Sequence, residues 1–155
     1  MKTYLAFYKG KGLIGDKLIR LWTRSKYSHV ELVIDNVWMS SSMRDGGVRS
    51  RKGLVAKSDH WDYLEIDCDA DFALKMFESK KGHKYDYLGI ALTQFMPLNI
   101  HDKIKEFCSE IVSLMLKVED AHRYSPEDLY TLFTTGKKVS RFRFFSRVKR
   151  MLTGK

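Results

Sequence analysis

Residues 28–42 read SHVELVIDNVWMSSS. Ser28 to Ile34 is apolar and β-branched, Asp35-Asn36 is a turn signal, and Val37 to Ser42 returns as a second extended run. That order predicts a β-hairpin. More strand signals surround it. Thr3 to Tyr8 is rich in β-formers and alternates weakly, which suits a first strand. Arg44-Asp45-Gly46-Gly47 is a further turn, with Val48 opening an extended run, and Trp61 to Ile66 reads as a later strand.

Helix signals lie between and after these runs. Asp16 sits at an N-cap position ahead of Leu18, Ile19, Leu21 and Trp22. Asp69 or Asp71 caps a helix carrying Phe72, Met76 and Phe77, which Gly82 stops. Tyr85 to Phe95 is apolar at helical spacing, with Pro97 closing it. In Ser125-Pro126-Glu127-Asp128 the serine caps, proline occupies the first turn and an acid follows three residues after the cap. Residues 102–118 admit two readings. Ile104, Phe107, Ile111, Leu114 and Met115 suit one amphipathic helix from Asp102, which would make Cys108 a mid-helix core thiol. A helix starting at Cys108 would instead put that thiol where the helix dipole favours a thiolate. Strand, helix, several strands, then helices is an α+β order, with an antiparallel sheet packed by helices on one side.

The apolar fraction of 44% over 155 residues is enough for a core and excludes a wholly disordered chain. The charge of +9 is uneven. Residues 1–136 hold 20 Lys+Arg and 19 Asp+Glu, whereas residues 137–155 hold eight Lys+Arg and no acid. We therefore expect one domain over 1–136 and a basic tail over 137–155. A nearly neutral body does not suggest nucleic-acid binding. The tail interleaves Phe142, Phe144, Phe145, Val148, Met151 and Leu152 with cations. It reads either as a final element with a solvated face, or as a segment for an anionic membrane surface, nucleic acid or an acidic partner. No apolar run approaches membrane-spanning length, and the N-terminus does not read as a signal peptide. Two cysteines give no disulfide framework, so a cytoplasmic setting is expected.

A cysteine nucleophile needs a base and a group to hold that base. Of His29, His60, His83, His101 and His122, only His29 begins a buried-looking strand. Cys68 lies between Asp67 and Asp69, whose charges disfavour a thiolate. Cys108, in Phe107-Cys108-Ser109-Glu110-Ile111-Val112, is the other thiol; a buried Cys acting as a small hydrophobe is the competing reading. No His/Cys/Asp/Glu cluster has metal spacing and no phosphate loop is present, so no metal or cofactor is expected.

SHVELVI with its hairpin, then KYDYLGI, FCSEIVSLML and SPEDLY, resemble in that order the circularly permuted papain-like thiol hydrolases. These are permuted relatives of NlpC-type peptidases and, more distantly, of lecithin retinol acyltransferase-like enzymes. The resemblance spans about residues 10–132. It implies a permuted papain-like fold, Cys108 as nucleophile at a helix N-terminus and His29 as general base at a strand start. It thereby favours the helix starting at Cys108. The third family residue would fall in Met39-Ser40-Ser41-Ser42, where only hydroxyls stand; Ser41 is the positional choice. Glu31 is the chemical alternative, because it shares a strand face with His29. Tyr85 with Asp86, Arg44 and Glu110 are candidate substrate-side residues; a helix cap, an exposed turn cation and a first-turn carboxylate are their structural readings. The implied activity is a thiol protease or amidase acting through a thioacyl intermediate on an amide, a peptide or cell-wall bond among the candidates. Alternatives are a thioesterase or acyltransferase on an ester or lipid, an inactive binding module of the same fold, and nucleic-acid binding through the tail.

Overall fold

The computed structural model describes residues 1–11, 20, 25–42, 45–53, 58–82, 108–121 and 124–137. The expected helices after Asp16 and over 85–95, and the tail beyond Lys137, lie outside the described residues.

Five strands are described: β1 (Thr3–Tyr8), β2 (His29–Ile34), β3 (Val37–Ser42), β4 (Gly47–Lys52) and β5 (Trp61–Glu65). They form one antiparallel sheet in the order β4-β3-β2-β1-β5. Three α-helices accompany them: α1 (Ala70–Lys80), α2 (Cys108–Met115) and α3 (Pro126–Thr135). The described chain is thus mixed α+β.

Local chemistry explains the boundaries. Asp35 and Asn36 both take positive φ, 45° and 65°, and Ile34 pairs with Val37. This is the two-residue hairpin whose twist matches its strands, and Asp and Asn tolerate that backbone region best after glycine. Asp69, not Asp71, caps α1 by accepting the Phe72 N–H at 3.0 Å. Ser125 and Asp128 form a reciprocal capping box on α3, with Pro126 in the first turn and Gly136 ending the helix at φ 69°.

Strand alternation sorts side chains to two faces. On one, Leu5, Phe7, Val30, Leu32, Ile34, Met39 and Val48 pack with Ala73 and Phe77 of α1, Ile111, Val112 and Met115 of α2, and Leu129 of α3. On the other, a small cluster of Ala6, Val33 and Trp38 meets Tyr4 and Trp61. Edge-to-face rings extend it: Tyr8–Trp61 at 5.1 Å, Trp38–Trp61 at 5.2 Å and Trp38–Tyr63 at 6.0 Å. Among the described residues no helix is long and apolar enough to cross a membrane.

Candidate active site

His29 opens β2 opposite Tyr8, so it alternates with the core residue Val30 and shares its face with Glu31. The approach to it is anchored from two sides. Tyr27, 1% exposed, packs its ring between Phe7 at 5.2 Å and Tyr130 at 5.0 Å and donates its hydroxyl to Asp62 at 2.7 Å. One residue earlier, the Lys26 N–H donates to Glu127 of α3 at 3.0 Å. The cap of α3 therefore also places the carboxylate that fastens the turn ahead of His29. Sequence reasoning saw Ser125-Pro126-Glu127-Asp128 only as a helix start and missed Tyr27 altogether.

Three groups then converge. The Cys108 side chain, in α2, acts on the His29 imidazole and favours its charged form. The imidazole Nε2 lies 3.1 Å from Glu31 Oε1. Glu31, only 3% exposed, accepts two further bonds from one guanidinium: Arg49 Nη1 to Oε2 at 2.6 Å and Nη2 to Oε1 at 2.8 Å. Arg49 Nε reaches Asp45 Oδ2 at 2.7 Å, and Arg51 holds the other oxygen of Asp45.

Electrostatics follow from this packing. Burial is the largest influence on His29 and acts downward, but negative charge and hydrogen bonding at Cys108, then at Glu31, outweigh it and push the imidazole up to about 10. Burial likewise favours neutral Glu31, yet the Arg49 guanidinium and His29 hold its carboxyl down at about 2. Cys68 behaves oppositely to a reactive thiol: half-buried, it is raised first by burial and then by the charges of Asp67 and Asp69.

The predicted site residues are placed as follows. Cys108, His29 and Glu31 come together. Ser41 does not join them: it sits opposite Val48, shares its face with Met39, and so points to the helix-covered side. Its neighbour Ser40 donates to the Val30 carbonyl at 2.7 Å, which fixes backbone rather than imidazole. The group that holds His29 is thus Glu31, two residues along the same strand, and not a hydroxyl of β3. Glu110 is half-buried in the first turn of α2. Tyr85, Asp86 and Arg44 lie outside the described residues. Arg49 escaped the sequence reading, although a glutamate inside an apolar strand demands a cation partner, and Arg49 is one of few near it in the chain.

Among the described residues no group of three or more His, Cys, Asp or Glu is arranged to hold a metal ion. A thiol acting on an imidazole that a buried carboxylate holds is an arrangement suited to nucleophilic acyl transfer. No family model, curated protein or solved structure matches the chain.

Proposed function

We propose that the chain is a cysteine hydrolase of the permuted papain-like kind, acting on an amide bond through Cys108, His29 and Glu31. The observation that carries this reading is an imidazole whose Nε2 is held 3.1 Å from the buried Glu31 carboxylate, with the Cys108 side chain acting on the same ring. With Nε2 committed to Glu31, Nδ1 is the ring atom we assign to the sulfur. Cys108, as thiolate, attacks the carbonyl carbon and forms the C–S bond of a tetrahedral intermediate. The C–N bond then breaks, and His29 as imidazolium gives its proton to the leaving amine. Water attacks the thioester, His29 takes its proton, and the thiolate departs from the acid product. The Cys108 backbone N–H is the donor we assign to the developing oxyanion; such a donor typically contributes about 2.7–4 kcal/mol. Glu31 keeps the imidazole oriented and charged. The aromatic run from Trp61 to Trp38 borders the imidazole, with the Trp61 ring 6.4 Å from His29.

The test is labelling by a panel of acyl electrophiles, with products located by peptide mass mapping. The proposal expects one modified residue, Cys108, and no labelling of Cys108→Ala. Labelling that persists in that variant, or none in the wild type with any electrophile, contradicts it.

A further inference from the structure

Glu31 occupies a position where a carboxylate has little reason to stay ionised. It is 3% exposed, on a strand flanked by Val30 and Leu32. A carboxylate so placed sheds its charge unless paired, and a neutral carboxyl ceases to favour an imidazolium beside it. Its partner comes from two strands away. Arg49 on β4 lies opposite Ser40 of β3 and reaches across to β2. Both Glu31 oxygens are engaged by the two terminal nitrogens of one rigid fork, which fixes the carboxylate plane as well as its charge. Oε1 is the shared atom, accepting from Arg49 Nη2 at 2.8 Å and facing His29 Nε2 at 3.1 Å. The fork is itself braced, since its third nitrogen donates to Asp45, just ahead of β4.

We propose that Arg49 is a positioning residue of this site, acting on His29 only through the charge and orientation it imposes on Glu31. The proposal rests on the hydrolase reading for its consequence but not for its geometry. Among the described residues, the strongest charged influences on His29 are Cys108 of α2 and Glu31 of β2. Those on Glu31 are His29 and Arg49; those on Arg49 are Glu31 and Asp45; Asp45 also holds Arg51. The hydrogen-bonded path from Arg49 to the imidazole runs through Glu31. The competing role is purely structural: an ion pair that ties β4 to β2 and leaves His29 indifferent.

The experiment is a double-mutant cycle on the full chain with Arg49→Gln and Glu31→Gln, reading two quantities. One is the His29 ionisation by imidazole NMR; the other is the pH profile of Cys108 alkylation by iodoacetamide. Arg49→Gln alone lowers the His29 ionisation by about one unit, with a roughly tenfold loss of Cys108 reactivity on the acid side. Arg49→Lys, which keeps the charge without the fork, recovers part of both. In the Glu31→Gln background Arg49→Gln changes neither. An unchanged His29 ionisation in folded Arg49→Gln overturns the proposal. So does a further shift when Arg49 is replaced in the Glu31→Gln background, and that arm decides the matter if Arg49→Gln alone does not fold. A wild-type Cys108 that does not alkylate selectively sinks the hydrolase reading, while the NMR arm still tests Arg49.

Discussion

On the helix-covered face of the sheet, Leu5, Phe7, Val30, Leu32 and Met39 are buried among Phe77, Ile111, Val112, Met115 and Leu129. On the opposite face the same strands bury Glu31 and half-bury His29, Arg49 and Asp45. Both faces exclude water, by different means. Apolar burial is non-directional, so each side chain contributes in proportion to the area it hides. The polar face depends on direction: a buried charge is tolerable only while its partners stand at hydrogen-bonding distance. The first face can lose a methyl group and persist. The second works as a unit, with Glu31 holding the His29 imidazole on one side and the Arg49 fork on the other.

Truncating the apolar face at its centre should have the largest effect on stability. Phe7 is fully buried against the Tyr27 and Tyr130 rings, and Phe7→Ala should cost about 3–5 kcal/mol in denaturant unfolding. Because Tyr27 leads into His29, this variant should also slow Cys108 labelling; labelling at the wild-type rate would separate the two faces completely. Breaking the polar face by Arg49→Met strands a buried carboxylate, for about 3–5 kcal/mol at most. Replacing both partners, with Glu31→Leu added, should recover much of that stability and still leave Cys108 unreactive. Recovery of both would show that the ion pair does nothing for the thiol.

Acid sharpens the contrast at a smaller scale. The Glu31 carboxyl is depressed from its ordinary 4.5 to about 2, so its stabilisation is complete above 4.5 and fades as pH falls toward 2. Unfolding free energy should therefore drop over that window in the wild type and less in Glu31→Gln, whereas apolar-face variants should track the wild type. On the basic side, His29 is raised from 6.5 to about 10; what its charged form contributes is complete below 6.5 and is lost as pH rises through 10. Removing the thiol in Cys108→Ala should bring the imidazole ionisation down toward 6.5, read by NMR. An unmoved value would mean that the sulfur does not act on the ring. The smallest effects are local. Ser125→Ala loses the cap of α3 at about 1 kcal/mol. Ser41→Ala, on the helix side of β3, should leave Cys108 reactivity unchanged.

The hairpin was legible because Asp35-Asn36 and the flanking β-branched runs encode it locally, and the same holds for the caps at Asp69 and Ser125. Glu31 was legible as a partner of His29 through strand periodicity alone, since two residues on one strand share a face whatever the sheet does. The pairing of Cys108 with His29 could not be read locally: 79 positions separate them, and context singled out each residue while the resemblance joined them. Preference for Ser41 failed on face, because its side depends on pairing with β4 and not on distance along the chain from His29. Arg49 was missed for a related reason. Its reach to Glu31 depends on the registers of three strands, which no single-strand pattern contains.

The hydrolase proposal requires the Cys108 sulfur to be activated by the His29 imidazole. Competitive alkylation of Cys108 and Cys68 in the same folded chain, quantified by peptide mass spectrometry across pH, measures it. At about pH 6 Cys108 should be modified while the raised thiol of Cys68 stays intact, and Cys108 selectivity should fall in His29→Ala. Two thiols that both begin to react only above about pH 8, with no change on losing His29, would contradict it.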